Sequence, residues 1–231
     1  MRKIFGFILC CLIPYARLRH AVRNRFYVRA GKTRNHGGKN NKIILVKNGV
    51  EKKVRSVVGC EIYFFGDNNT VKIYTPVNRL RLCIKMYGNS EATILSSKFL
   101  DRRLNIRGLV NGVVFIDSDL LTNDECLIEC SDGTDVHIGK DCIFSDFVEL
   151  RTSDGHTILN DKNKKINVNK SVYIGNHVWL GKNVMVLKGG KVSDSSIVGA
   201  RSLVTKPFDE TGVIIAGAPA KIIKKGIDWS L

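Results

Sequence analysis

A histidine and a carboxylate stand two residues apart in the run Arg151-Thr152-Ser153-Asp154-Gly155-His156. An imidazole ionises near neutral pH, so His156 is suited to remove a proton from a weak nucleophile such as an alcohol. Asp154 is suited to orient that imidazole or to bind a polar substrate. The same run also fits an Asp-Gly turn followed by a solvated histidine. We therefore take His156 and Asp154 as candidate catalytic residues, with a plain turn as the alternative.

A six-residue repeat dominates the part of the chain that must position this run. From residue 174 to residue 204 every sixth residue is aliphatic, and the residues are Ile174, Leu180, Val186, Val192, Val198 and Val204. A period of six matches neither a helix nor a single strand, whose side chains repeat at about 3.6 and 2.0 residues. It is typical of short strands and sharp turns stacked into a parallel β-solenoid. Three such sides close one coil, so residues 18 apart, such as Ile174 and Val192, should lie directly above one another.

The same phase extends upstream and is interrupted once. Ile138, Phe144 and Leu150 are also six residues apart, but the following stretch up to Ile174 is polar. We predict that this stretch, residues 155–170, leaves the solenoid as a protruding loop directly after the candidate catalytic run.

These patterns predict an all-β solenoid with a helical N-terminal segment and a short C-terminal cap. The boundaries are an N-terminal segment and linker at 1–42 and a β-helix domain at 43–231, divided into irregular coils 43–130, regular coils 131–208, the protruding loop 155–170 and the cap 209–231. Within the cap we expect a short helix at 220–225. A separate β-sandwich over residues 43–120 is the alternative for the early strands.

The first 29 residues differ from the rest of the chain. An apolar run at residues 4–13 is followed by a proline and five arginines, with no small-x-small cleavage site. Ten apolar residues are too few to span a bilayer, which takes about 20. Residues 1–29 therefore predict either an interfacial segment on anionic lipid or a helix packed on the solenoid or a partner subunit. The chain is predicted to be cytoplasmic, and the first interpretation would hold it peripherally on the inner face of the bacterial cytoplasmic membrane.

Composition limits the partners. The chain has 231 residues and a formal net charge of +16, from 37 Lys plus Arg against 21 Asp plus Glu. Such an excess favours a polyanion, an acidic membrane surface or a phosphorylated cofactor. We do not expect a nucleic acid partner, because the basic residues are spread along the chain and no nucleic-acid motif appears. Seven cysteines without regular spacing indicate reduced thiols that pack as small apolar groups.

Several motifs resemble the hexapeptide-repeat acyltransferases. They are the repeat itself, the run Ile174-Gly175-Asn176-His177-Val178-Trp179-Leu180-Gly181, Val198-Gly199-Ala200, and Ala216-Gly217-Ala218-Pro219-Ala220-Lys221. The chain is most similar to the sugar O-acetyltransferases of that superfamily, including the galactoside and maltose acetyltransferases and the modifiers of capsule and lipopolysaccharide. The resemblance covers residues 130–228 well and residues 60–130 loosely. It implies a left-handed β-helix, a homotrimer and acetyl-CoA as co-substrate, although the general crossover rule favours right-handed connections.

The resemblance also implies roles for individual residues. His156 would deprotonate the acceptor and later protonate the departing thiolate. Lys182 departs from the family, which commonly has a small residue there, so its side chain should point away from the coenzyme. The positions that match contacts with acetyl-CoA are Trp179, Gly181, Lys182 and Ala200 along the pantetheine and thioester, Thr205 and Lys206 at the nucleotide, and Lys221 and Lys224 near the phosphates.

Alternatives remain open for these residues. The lysines also fit ordinary solvated corners, and Trp179 fits simple interface packing. Three residues are candidates to face the acceptor sugar, namely Asn123, Asp132 and Arg151. His137, His156 and His177 lie about one coil apart, and the γ-class carbonic anhydrases bind zinc through three histidines on such a solenoid. The spacings here do not match that class, so we expect no metal.

The leading hypothesis is an acetyl-CoA-dependent O-acetyltransferase acting on a sugar hydroxyl of a bacterial surface glycan or its precursor. His156 would act as general base for direct attack in a ternary complex. N-acetylation of an amino-sugar nucleotide is the first alternative. A non-catalytic trimeric β-helix scaffold, or a metal-binding module, is the second, and it predicts no affinity for CoA.

Overall fold

The computed structural model describes residues 31–75, 82–95 and 104–231, which form 23 β-strands and contain no helix. The chain passes in turn through three sheets, here called faces A, B and C. Face A contains β1 (Lys32–Asn35), β4 (Cys60–Phe64), β6 (Leu82–Met86), β8 (Leu104–Gly108), β11 (Cys126–Cys130), β14 (Glu149–Arg151), β17 (Met185–Val186) and β20 (Leu203–Val204).

The other two faces are built in the same way, from strands that pair in parallel except at the ends of the solenoid. Face B contains β3 (Val50–Val54), β2 (Lys42–Lys47), β5 (Thr70–Thr75), β7 (Glu91–Ile94), β9 (Val113–Ile116), β12 (Asp135–Ile138), β15 (Val172–Ile174), β18 (Lys191–Val192) and β21 (Pro207–Phe208). Face C contains β10 (Leu121–Thr122), β13 (Ile143–Phe144), β16 (Trp179–Leu180), β19 (Ile197–Val198), β22 (Val213–Gly217) and β23 (Ala220–Lys225).

Inward side chains stacked on their partners in the next coil make up the core. The predicted 18-residue coil is confirmed by the stacked pairs Ile174 with Val192, Leu180 with Val198, and Val186 with Val204. All of these side chains are at most 1% exposed. Removing each of them from water contributes about 1.5–3 kcal/mol to stability.

The early coils follow a longer repeat than the later ones. On face A, residues 82, 104 and 126 are partners at a constant spacing of 22 residues. Their strands pair in parallel within the same sheets as the later coils, so they extend the solenoid and do not form a separate β-sandwich.

The predicted linker up to residue 42 is wrong in part. Residues 32–35 form β1, which pairs in parallel with β4 and begins face A. Residues 1–30, for which a helical segment and membrane contact are predicted, lie outside the described residues. In the part of the chain that is described, no helix is long and apolar enough to cross a membrane.

The predicted helix at 220–225 is also wrong. These residues form β23, which pairs antiparallel with β22 through a turn at 218–219 directly after Gly217, where φ is +105°. Without β23, the edge of face C would present a row of unpaired N–H and C=O groups. The cap is therefore a hairpin, and β3 closes the edge of face B in the same way at the other end.

The corners of the regular coils use the left-handed backbone region. At six corners, φ lies between 53° and 60° three residues after an inward apolar residue, namely at Asp141, Phe147, His177, Asn183, Ser195 and Arg201. This region disfavours residues with a Cβ by about 1–2 kcal/mol. The stacked coils on either side of each corner must therefore hold these residues in place.

A buried asparagine ties the first coils together at one corner. Asn69 is 0% exposed. Its Oδ1 accepts hydrogen bonds from the backbone N–H groups of Gly88 (3.0 Å) and Ser90 (3.2 Å). Its Nδ2 donates to Asn41 Oδ1 (2.9 Å) and to the Gly66 carbonyl (2.8 Å). The amide thus satisfies backbone groups that would otherwise be buried without partners.

Replacing Asn69 by Ala should lower the free energy of unfolding by about 2–4 kcal/mol, because buried N–H groups left without acceptors cost about 1–3 kcal/mol each. Urea denaturation measures the change. The matched control is Asn105→Ala, which removes a half-buried amide with a single 3.4 Å bond to the Cys126 carbonyl and should change stability by under about 0.5 kcal/mol. Equal losses in the two variants would contradict this role of Asn69.

Candidate active site

The segment around His156 is fixed by one buried amide. The loop at 155–170 leaves the solenoid between β14 of face A and β15 of face B. Asn167, which is 7% exposed, donates from Nδ2 to Asp154 Oδ2 (2.9 Å) and to the His156 carbonyl (2.7 Å). Its Oδ1 accepts from the Ile158 N–H (2.7 Å). These bonds join the two ends of the loop and define the backbone on which His156 stands.

Asp154 anchors the base of this loop. Its carboxylate accepts hydrogen bonds from Lys188 and Asn167 and not from the His156 ring. Lys188 belongs to the next coil, so the ion pair ties the loop to the solenoid. The hydrogen bond from Lys188, together with that from Asn167, lowers the pKa of Asp154 below its ordinary value. The carboxylate therefore stays ionised at neutral pH and holds the loop, which differs from the predicted role of orienting the imidazole.

The imidazole of His156 is open to solvent at the edge between faces A and B. Its loop folds back on itself through a bridge between Leu159 and Lys165. Four apolar side chains of the loop are more than half exposed, namely Ile158 (52%), Leu159 (51%), Ile166 (59%) and Val168 (62%). In a single chain, water therefore has free access to His156, and the loop carries an uncovered apolar surface.

Face C presents an apolar row of outward side chains. Strand register places them in successive coils, and they are Leu121, Ile143, Trp179, Ile197 and Ile214. Trp179 is 39% exposed, and its Nε1 donates to Ser145 Oγ at 3.2 Å. Because face C lies opposite the edge that carries His156, one chain does not bring His156 and Trp179 together.

Gly181 and Ala200 occupy the same corner, between faces C and A, in successive coils. A Cβ on Gly181 would lie 2.8 Å from the Ala200 nitrogen, so stacking of the coils requires glycine there. The side chain of Lys182 turns toward the preceding coil, with Nζ 3.5 Å from Asp146 Oδ2 and 5.6 Å from the centre of the Phe147 ring. At this corner Ala200 is exposed, whereas Gly181 is buried.

A cleft of about 380 Å³ at the C-terminal end brings together Lys206 and Lys221, with Phe208 and Ile222 as an apolar wall. Two acids also line it, but each is paired with another lysine: Asp209 with Lys191 at 2.8 Å and Glu210 with Lys225 at 2.7 Å. Within the described ranges, neither Lys206 nor Lys221 has a carboxylate within ion-pair distance. An apolar wall with two uncompensated cations suits a phosphorylated nucleotide. Thr205 and Lys224 are exposed nearby in sequence.

The guanidinium of Arg151 is ion-paired with two acids on its own face. Its Nη1 donates to Glu129 Oε1 at 2.9 Å, and its Nε donates to Glu149. Glu129 is 8% exposed and also accepts from Arg107 at 3.3 Å. The guanidinium thus belongs to a charge column on face A, which gives it a structural function besides the predicted contact with a sugar.

The other two acceptor candidates lie at different corners of the solenoid. Asp132 follows β11 at the edge between faces A and B, where its Oδ2 accepts from Asn169 Nδ2 at the end of the loop (3.0 Å). Asn123 is exposed after β10, at the edge between faces C and A. Only Asp132 therefore shares an edge with His156.

His177 lies in a cluster that sequence reasoning missed. Its Nδ1 is 2.6 Å from Asp141 Oδ2, and its Nε2 is 2.9 Å from the Trp229 carbonyl oxygen. The Trp229 ring stacks on the imidazole, with 4.0 Å between centroids and 3° between planes, and its Nε1 donates to the His177 carbonyl at 2.9 Å. The one sequence signal for this cluster is a tryptophan in the short C-terminal tail.

The cluster also affects the ionisation of His177. Partial burial opposes the charged ring, but the hydrogen bond to Asp141 and the contact with the Trp229 carbonyl outweigh it, so the pKa of His177 is raised above its ordinary value. Asp228 Oδ1, 3.4 Å from Nε2, acts in the same direction.

In residues 31–75, 82–95 and 104–231, the His and Cys side chains do not form a metal site. No group of three or more His, Cys, Asp or Glu side chains there could hold a metal ion. His137 stacks on Phe115 of face B, at 4.9 Å between ring centroids. Burial raises the pKa of Cys142 to about 12, so its thiol packs as an apolar group and does not ionise at neutral pH.

Comparisons with known proteins extend this description. No family model matches the chain. A polysialic acid O-acetyltransferase of Escherichia coli O1:K1 / APEC is 37% identical over 101 residues, which cover 43% of this chain. The match spans 33% of the length of that relative.

Two solved structures are similar over most of both chains. The polySia-specific acetyltransferase NeuO superposes with a TM-score of 0.71 and 28% identity, covering 87% of this chain and 88% of its own. The polysialic acid O-acetyltransferase OatWY has a TM-score of 0.63 and 29% identity, covering 87% and 90%. The resemblance to the sugar O-acetyltransferase branch of the hexapeptide-repeat acyltransferases is confirmed, as is the all-β, left-handed parallel β-helix that it implies.

Proposed function

We propose that this chain, which resembles the hexapeptide-repeat sugar O-acetyltransferases in sequence and fold, acetylates a hydroxyl of an anionic bacterial surface glycan or its precursor. The observation that carries the proposal is the similarity to NeuO and OatWY over 87% of the chain. Both relatives are described as acetyltransferases of polysialic acid, and OatWY as an O-acetyltransferase, which favours a hydroxyl acceptor over an amine. The net charge of +16 suits an acidic polymer.

His156 is the proposed general base. It accepts the proton of the sugar hydroxyl as the oxygen attacks, so that a C–O bond forms while a C–S bond breaks. The same imidazole then returns that proton to the departing sulfur, which leaves the histidine neutral for the next cycle. The amide of Asn167 and the ion pair of Asp154 with Lys188 fix the loop base, so the imidazole is presented on a preorganised backbone.

The acyl donor proposed for this site is acetyl-CoA, which supplies an activated thioester. Its phosphates suit the cleft of Lys206 and Lys221, with Thr205 and Lys224 at its margin. The exposed corner at Ala200, beside the buried Gly181, suits the pantetheine amides, and Trp179 suits the wall beside the thioester or acceptor. Lys182 turns toward Asp146 of the preceding coil, on the side away from the coil that carries Ala200.

A homotrimer is proposed because His156 and Trp179 lie on opposite sides of a single chain. His156 and its apolar loop lie on the edge between faces A and B, whereas Trp179 and its apolar row lie on face C. A threefold ring in which each loop covers the face C of its neighbour would bury both surfaces and complete three identical sites. It would also exclude water from the reacting atoms.

Replacing His156 by Ala should lower turnover with acetyl-CoA and a polysialic acid acceptor by about 10²–10⁴-fold, because the hydroxyl loses its base. Coenzyme binding, followed by calorimetry, should be unchanged. The matched control is His137→Ala, which removes an exposed imidazole from face B and should leave turnover intact. Near-full activity in the His156 variant would refute the assignment.

Coenzyme A alone should stabilise the protein against heat, by about 2.7 kcal/mol at 100 times its Kd. Lys206→Ala and Lys221→Ala should each weaken CoA binding by about 10–100-fold, since a hydrogen bond to a charged group contributes about 1.5–3 kcal/mol. Lys52→Ala, an exposed lysine on β3, is the control. The absence of any shift at millimolar CoA would favour the non-catalytic scaffold.

Ile158→Asp should convert the trimer into monomers and abolish turnover, because it places a charge in an apolar surface that the neighbouring chain is proposed to cover. Light scattering measures the mass. Val50→Asp is the control, since Val50 is 70% exposed on β3 at the other end of the solenoid. A wild-type protein that is monomeric and fully active would rule out the shared site.

A further inference from the structure

The chain contains two tryptophans, and the fold places them next to each other. Trp179 lies on face C, and Trp229 belongs to the C-terminal tail that returns after β23. Their ring centroids are 6.3 Å apart with 53° between the planes. On its other side Trp179 donates to Ser145 Oγ at 3.2 Å. The Trp179 indole is thus held between the solenoid and the tail.

The tail is itself held by His177. Both ring nitrogens face oxygen acceptors: Nδ1 faces the Asp141 carboxylate at 2.6 Å, and Nε2 faces the Trp229 carbonyl at 2.9 Å. Only a doubly protonated imidazole donates to both. A cationic ring also stacks favourably on an indole. The geometry therefore selects the imidazolium form of His177.

The charged groups that face this ring come from two elements. Asp141 approaches from the corner of the preceding coil, and Asp228 Oδ1 approaches from the tail, 3.4 Å from Nε2. Lys140 meets His177 through its carbonyl, which accepts from the His177 N–H at 2.8 Å. Asp194 of the following coil is bound to the Asn176 N–H at 2.8 Å. Acids thus dominate around the imidazole.

We propose that Trp229 is a positioning residue that fixes the Trp179 indole for acyl transfer. It does so through a clasp, the hydrogen-bonded cluster of His177, Asp141 and Trp229, which closes when His177 is protonated. The proposal rests on the proposed function, in which Trp179 walls the thioester or acceptor. His177, Asp141 and Trp229 act through Trp179 and do not touch the reacting atoms.

The direction of the pH dependence follows from the pKa of His177, which is raised in the folded protein. The clasp is complete below the ordinary histidine pKa of about 6.5 and is lost as the pH rises through the raised pKa of the folded state. Alkaline conditions should therefore open the clasp and release Trp179.

Fluorescence excited selectively in tryptophan tests the clasp directly, because the chain contains two tryptophans and both belong to this pair. The wild-type signal should follow a single titration with a midpoint above that of a free histidine. His177→Gln should abolish the titration, and Asp141→Asn should move its midpoint to lower pH. Ser230→Ala, a neighbouring tail residue outside the clasp, should behave like the wild type. A titration that survives in His177→Gln would overturn the clasp.

Kinetics test the positioning role. Trp229→Ala should lower kcat/KM by about 10–100-fold, the effect expected of a reacting group displaced by about 1 Å, with CoA affinity unchanged. Trp229→Phe keeps an aromatic ring on His177 and should recover most of the activity. Undiminished kcat/KM in Trp229→Ala would overturn the positioning role alone. A wild-type protein that shows the titration without any turnover would instead refute the proposed function, and the positioning role with it.

Discussion

Register between coils is the constraint on which this structure depends. Each strand can pair only if it lies about 4.8 Å above the strand one coil earlier, and that pairing puts every side chain directly over its partner. Inside the solenoid the result is a continuous aliphatic core. Outside it the result is columns of outward side chains, one from each coil. Neighbours in a column lie close together, so their side chains must be compatible in charge and shape. The column of Arg107, Glu129 and Arg151 meets this requirement with alternating charge. The column of His36, Phe65 and Tyr87 meets it with stacked rings, 4.6 and 4.8 Å apart.

The candidate site lies at a place where register is maintained across an insertion. Glu149 of β14 pairs with Met185 of β17, although the loop at 155–170 lies between them. Because the strands on both sides stay paired, the loop can carry exposed apolar and polar side chains without disturbing the core. The amide of Asn167 then gives the base of the loop the rigidity that a strand would otherwise provide.

Sequence reasoning found those features that repeat and missed those that occur once. The pairing of Ile174 with Val192 could be predicted because six-residue periodicity has few physical solutions. The 22-residue coils were less visible, since their longer corners obscure the period. The sequence of β23 alone predicts a helix, because a single short apolar segment does not reveal the sheet edge that it covers. The contact of His177 with Trp229 could not be predicted, since it depends on where the tail returns after the last hairpin. The bond of Asp154 to Lys188 likewise joins different coils, which spacing along the chain does not reveal.

The equal spacing of β6, β8 and β11 has a consequence for how such a chain can change over time. Gain or loss of one 22-residue unit would preserve every inward stack and every sheet, since the strand above would meet an equivalent strand below. The distance from the amino-terminal end to the edge that carries His156 can therefore change only in fixed increments of about 4.8 Å. Adding or removing one early coil would thus change the length of the solenoid and leave the edge that carries His156 as it is.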